Sequence, residues 1–178
     1  MTNPLIANDV GRLPVVTTIA TDDRIPTFDV STKRLGYTTP SALRSLPTTT
    51  EVVTATKVIT AAESGATFFL SSDTEFVSTL PAPAAGLRFT FFVAAAPSGA
   101  NYTIVTTSSA NIIKGQVYTL DVNSGTDPDF ETSGGDTISL VASKAVAGDS
   151  VELFCDGTNW FFRAFCSVFD AITITTAS

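Results

Sequence analysis

The residues able to do chemistry are few, and the commonest of them is missing: none of the 178 residues is a histidine. That removes the usual general base, the usual activator of a serine or cysteine nucleophile, and the most frequent zinc ligand together. Two cysteines remain, Cys155 and Cys166, each set in apolar, strand-like sequence. Apolar surroundings raise a thiol pKa and disfavour the reactive thiolate, so both read as buried free thiols with a packing role. Carboxylates are the other candidates, because glycosidases need only a pair. Asp127, Asp129 and Glu131 alternate in GTDPDFE, with Asp136 close behind. On an extended segment the three would point one way, a start towards the several oxygens that calcium takes. The run lacks the ligand and glycine order of an EF-hand loop, and acid-rich loops mostly face solvent, so no metal site is assigned. Asp22, Asp23, Asp73 and Glu75 read as turn residues. Gly134 and Gly135 are a turn signal with no phosphate-loop pattern after them. The expectation is a chain with no catalytic residues and no cofactor.

What must be positioned instead is a surface. The stretch SVELFCDGTNWFFRAFC, residues 150–166, reads as two strands folded back on Gly157 and Thr158. Glycine at the first of two loop positions suits a type II′ turn, which sets Asp156 opposite Asn159 and fixes the register of the hairpin. Cys155 then faces Trp160, Leu153 faces Phe162 and Val151 faces Ala164, all on one side, which reads as core. On the other side Phe154 faces Phe161 and Glu152 faces Arg163, with Phe165 further along the row. Contact between subunits through Phe154, Phe161 and Phe165 is the favoured expectation, because a contiguous apolar patch marks a contact surface. The alternative is a second layer of the same domain covering those rings. In this register Cys166 lies opposite Asp149, roughly 20 Å from Cys155 at about 3.3 Å per residue, which excludes a disulfide between the cysteines.

The composition is 44% hydrophobic and 15% charged, against about 25% charged in ordinary domains. The longest apolar run, 89–96, is interrupted by Thr90 and stopped by Pro97, well short of the roughly 18 residues that a membrane helix needs. The apolar excess must therefore be hidden in protein, and an oligomer hides it more readily than a monomer. No basic segment followed by a continuous apolar one opens the chain, so no secretory signal is expected. Residues 1–50 hold five basic and four acidic groups, whereas 51–178 hold five basic and thirteen acidic ones. So acidic a body repels nucleic acid and anionic membrane, and neither is expected as a partner.

Five prolines, Pro4, Pro14, Pro26, Pro40 and Pro47, punctuate the first fifty residues. Each deletes a backbone donor and confines its segment to short extended pieces and turns. Residues 1–50 thus read as an extended arm, with one short helix near 40–46 between an N-capping Thr39 and Pro47. Residues 51–178 read as a β-sandwich body. Strands are expected at 51–61, 66–70, 75–80, 87–94, 102–107, 116–122, 137–142, 151–156, 159–166 and 171–175, divided by loops rich in Gly, Ser, Asn, Asp and Pro. In LRFTFFVA, Leu87, Phe89, Phe91 and Val93 line one face, with Phe92 the apolar exception on the other. The segment 123–136 is expected to be the longest loop, and no repeat of fixed period is visible.

Two phrases resemble known proteins. TDDRIPTFDVSTKRLGYTTPSAL, residues 21–43, resembles the leader of tailed-bacteriophage virion proteins, and FCDGTNWFF, residues 154–162, is similar to a D-G-T-x-W hairpin that closes β-rich domains of phage head-decoration and tail-fibre proteins. The resemblance implies a head-decoration (cement) protein on the outer surface of the capsid, with an antiparallel, jelly-roll-like sandwich assembled as a homotrimer. Its partner would be the major capsid protein, gripped by the arm through Arg12, Arg24, Ile25 and Phe28, while Phe154, Phe161 and Phe165 join the bodies. The alternative is a tail-fibre tip or receptor-binding head for host surface glycan, with Tyr102 and the 127–131 loop as its sugar site. A two-carboxylate hydrolase is the least supported class.

Overall fold

The computed structural model describes residues 25–29, 33–38, 49–72, 74–120 and 130–177. The chain divides between Pro47 and Thr48 into two units. Within the first, β1 (Ile25–Asp29) and β2 (Arg34–Thr38) form an antiparallel hairpin, paired from Ile25↔Thr38 to Asp29↔Arg34. The two strands constitute a sheet of their own.

The second unit is built from twelve strands among the described residues, because short runs of alternating apolar and polar residues can bury one face and solvate the other. In chain order these are β3 (Thr50–Val53), β4 (Lys57–Val58), β5 (Thr67–Leu70), β6 (Phe76–Thr79), β7 (Arg88–Val93), β8 (Tyr102–Val105), β9 (Ile113–Thr119), β10 (Phe130–Gly135), β11 (Thr137–Leu140), β12 (Ser150–Cys155), β13 (Trp160–Cys166) and β14 (Ile172–Thr175). They form a seven-stranded sheet in the order β10-β9-β13-β12-β7-β5-β3 and a five-stranded sheet in the order β14-β11-β8-β6-β4. Both sheets feed one core. Phe68, Phe89, Phe91 and Trp160 come from the larger sheet and Phe76 and Tyr102 from the smaller, and all six are fully buried. Ring contacts tie each group together: Phe68–Phe91 at 5.2 Å, Phe89–Trp160 at 5.8 Å and Phe76–Tyr102 at 4.6 Å between centroids.

The hairpin register expected from the Gly-Thr turn is observed along its length, from Cys155↔Trp160 to Val151↔Ala164. Gly157 takes φ 106°, a conformation that costs glycine little. The Asp156 carboxylate accepts the backbone N–H groups of Thr158 and Asn159, both at 2.7 Å, and holds the turn closed.

The purely antiparallel arrangement is corrected: five of the ten strand pairings described in this unit are parallel. From β3 to β8 the chain crosses from one sheet to the other after every strand. Each return to a sheet arrives in the same direction, so β3, β5 and β7 pair in parallel, as do β4, β6 and β8. The register climbs from Thr50 to Thr67 and then to Thr90, steps of seventeen and twenty-three residues. Unequal steps leave no fixed sequence period, which is why this winding is invisible as a repeat.

Three expected boundaries also move, the first being the strand expected at 116–122, which runs earlier as β9, Ile113–Thr119. The single strand expected at 51–61 is β3 and β4, which lie in different sheets. The long loop expected at 123–136 contains β10, whose pairing with β9 slips between Glu131 and Gly135. The glycine pair that signals a turn lies in this irregular stretch, with Gly134 at φ 104°. The helix expected near 40–46 lies outside the described residues.

Candidate interaction surface

The seven-stranded sheet turns one face to the core and presents the other outward. Because side chains alternate along every strand, pairing aligns the outward residues into rows across the sheet. One row runs Tyr118, Phe165, Ser150, Phe92, Phe69, Val52 from β9 to β3. The next runs Gln116, Arg163, Glu152, Thr90, Thr67, Thr50 over the same strands. A third holds Lys114, Phe161, Phe154 and Arg88. Six aromatic rings thus share one sheet face.

Their exposure decides what they are for. Tyr118, Phe154, Phe161 and Phe165 remain 46%, 43%, 45% and 50% exposed, while the core beneath is filled. Tyr118 stacks on Phe165 with centroids 5.3 Å apart, and Phe69 on Phe92 at 5.8 Å, both at 19° between planes. Flat stacked rings standing up from a pleated sheet make a firm surface, because aromatic side chains have few rotamers to lose on contact.

A charge pair sits at the centre. Arg163 Nη2 donates to Glu152 Oε2 at 2.9 Å, and its guanidinium lies 5.8 Å from the centroid of the Phe154 ring. An exposed pair of this sort adds about 0–1 kcal/mol to stability. Its consequence is orientation: it holds Arg163 against the rings. Three of the five body cations, Arg88, Lys114 and Arg163, stand on this face, where Glu152 is the acid among the described side chains.

The aromatic row ends in an apolar hollow of about 500 Å³, lined by Tyr118, Leu120, Val146, Phe165 and Asp149 among others. Leu120 is 83% exposed at its rim. Asp149 is buried in its wall, where Oδ2 accepts the Val146 N–H and Oδ1 the Ser167 N–H, each at 3.0 Å.

Phe154, Phe161 and Phe165 are therefore brought together and left open to solvent. The sequence reading missed Tyr118, Phe69 and Phe92 as their neighbours. Phe92 already broke the alternation of its strand, and period 2 carried back along β9 would have placed Tyr118. In the first unit, Ile25 pairs with Thr38 and Phe28 with Leu35 along the β1–β2 hairpin. Arg12 and Arg24 lie outside the described residues.

Tyr102 is corrected as a sugar-binding candidate. It is fully buried; its hydroxyl accepts the Ser72 N–H at 2.9 Å, and its one proton is shared between the Ser72 and Ala95 carbonyls, 2.5 Å and 2.8 Å away. Residues 127–129 of the acidic loop lie outside the described residues. Both cysteines are buried thiols outside any disulfide. Among the described residues, no group of three or more His, Cys, Asp or Glu side chains comes together as a metal site would require. Comparison of the chain with protein-family profiles, with curated proteins and with solved structures found no match.

Proposed function

We propose that this chain is a virion structural protein of the head-decoration (cement) type. Residues 1–50 dock neighbouring major capsid subunits, and residues 51–178 meet other copies of the same chain on the outer surface of the capsid. The observation that carries this reading is the outward face with its six rings, four of which, Tyr118, Phe154, Phe161 and Phe165, a solitary body would hold largely in water above an already complete core. The β1–β2 hairpin supports the other half. A two-stranded sheet on its own is marginal in water, so it gains most by pairing or packing against another protein. Arg12, Arg24, Ile25 and Phe28 are the proposed docking residues, and Phe154, Phe161 and Phe165 the proposed contacts between bodies.

Two mixed sheets sharing one core favour a sandwich. A jelly roll has antiparallel neighbours, so the parallel winding from β3 to β8 argues for a different variety of sandwich. The function would be mechanical: several weak arm contacts, held together by association of the bodies, sum to durable attachment and brace the shell. Three copies to a unit is the count that the phage resemblance implies.

Deleting residues 1–47 tests the division of labour. Sedimentation should find the remaining body still associated, while binding to expanded capsids falls at least tenfold. Undiminished capsid binding by the truncated body would overturn the docking role of the arm.

A further inference from the structure

The outer face of the seven-stranded sheet is complementary to itself. We infer that its occupant is the same face of a second copy, related by a twofold axis that runs parallel to the strands between β12 and β13. This rests on the self-association proposed above and replaces the threefold with a twofold.

The register carries the argument. Such an axis exchanges β13 with β12 and β9 with β7, and lays each row of side chains over itself. Arg163 of one copy then stands over Glu152 of the other, and Glu152 over Arg163. Phe165 stands over Ser150, a large side chain over a small one, on both sides of the axis. Tyr118 meets Phe92 and Phe161 meets Phe154, aromatic on aromatic. The unfavourable meeting is Lys114 with Arg88, made twice, at the two margins of its row. An axis across the strands would instead set Arg163 over Arg163 and Glu152 over Glu152, which places like charges in opposition at the centre of the face, not at its margins. Sheets packed face to face cross at about −30°, which displaces the marginal pairs and leaves the central four residues in register.

Size and charge agree with this occupant. The axis overlays six of the seven strands and leaves β3 outside; at about 4.8 Å spacing and about 3.3 Å per residue these give a shared face of roughly 500 Å², of the order of the about 800 Å² that each partner buries in a standard interface. The chain carries a net charge of −7, yet this face has three cations against the single described acid Glu152. Pairing through it therefore keeps the acidic excess of the two copies apart.

The test uses the full chain and two variants, Glu152→Arg and Arg163→Glu. Sedimentation equilibrium should find wild type as a dimer, and each variant alone with a dimer dissociation constant raised at least tenfold, because its centre now carries two like charges. Mixing the variants should restore the dimer as a heterodimer, an Arg-Arg centre on a Glu-Glu centre. Thermal melts should show both variants folded, since the exchanged side chains are exposed. A wild-type trimer, or a mixture that fails to form heterodimers, overturns the twofold and leaves the self-association of the bodies standing. A full-length wild-type monomer overturns both.

Discussion

Replacing Asp149 by alanine should cost the body on the order of 3 kcal/mol, although the residue faces no ligand. Its carboxylate is buried and accepts two backbone N–H groups, from Val146 and from Ser167, each at 3.0 Å. Its own carbonyl accepts the Val93 N–H at 2.9 Å, so the same residue anchors the turn before β12 to the end of β7. Alanine keeps that backbone bond and abandons the two carboxylate bonds. Leaving a buried donor without a partner costs about 1–3 kcal/mol. Val146 is 39% exposed and Ser167 half-buried, so water reaches part of the gap and the low half of that range applies to each. The sum is about 2–4 kcal/mol, a fall in melting temperature on the order of 10 °C for a unit of this size. Asparagine retains one acceptor oxygen and should lose about half as much. The assay is urea unfolding followed by the fluorescence of Trp160, the single tryptophan, which is fully buried and so reports loss of the core. Asp149→Ala within about 0.5 kcal/mol of wild type, the range of an ordinary surface substitution, would refute the reasoning.

Further outcomes follow from other contacts. Gly115→Ala should destabilise by about 1–3 kcal/mol in the same urea assay, because a Cβ there would lie 2.1 Å from the Phe162 carbonyl oxygen and must push β9 away from β13; unchanged stability would show that the parallel pair is looser than described. The Asp156 carboxyl titrates below its ordinary 3.8, chiefly through the N–H of Asn159 and then that of Thr158. A carboxylate with a lowered folded pKa stabilises above its unfolded value and loses that contribution as pH falls through the folded one, so the turn should loosen only below about pH 4. Carbon-detected NMR titration of Asp156 checks this, and an unshifted midpoint would contradict it. Glu63 holds the Lys57 ammonium above its ordinary 10.5, with Glu51 assisting against the burial that lowers it. The contribution of Lys57 is thus complete below 10.5 and disappears as pH rises through the raised value. Burial pushes the Glu63 carboxyl up, but the bonds from Lys57 and Thr60 outweigh it and leave it below 4.5. Glu63→Gln should therefore bring the NMR midpoint of Lys57 back towards 10.5; no change would assign the shift elsewhere.

Much of the local structure was legible in advance. The β12–β13 register was readable because a two-residue glycine turn leaves period 2 no freedom, and Phe154, Phe161 and Phe165 were placed on one face by the same logic. The burial of Leu87, Phe89, Phe91 and Val93 followed from alternation alone. Tyr102 misled because a tyrosine near a loop looks available, whereas its hydroxyl here is consumed by the backbone of Ser72 and Ala95.

Sequence alone determined the absence of histidine, the uneven charge, the five prolines of the first fifty residues and the side to which each strand residue points, since all of these are covalent or nearest-neighbour properties. Only the tertiary structure decided which strands stand side by side. That choice made β3 to β8 a parallel winding, buried Asp149 among backbone donors, and carried Tyr118, Phe92 and Phe69 to the rings of β12 and β13. The physical reason is that pleating is set residue by residue, while strand neighbours are selected by how two sheets fill a shared core across long stretches of chain.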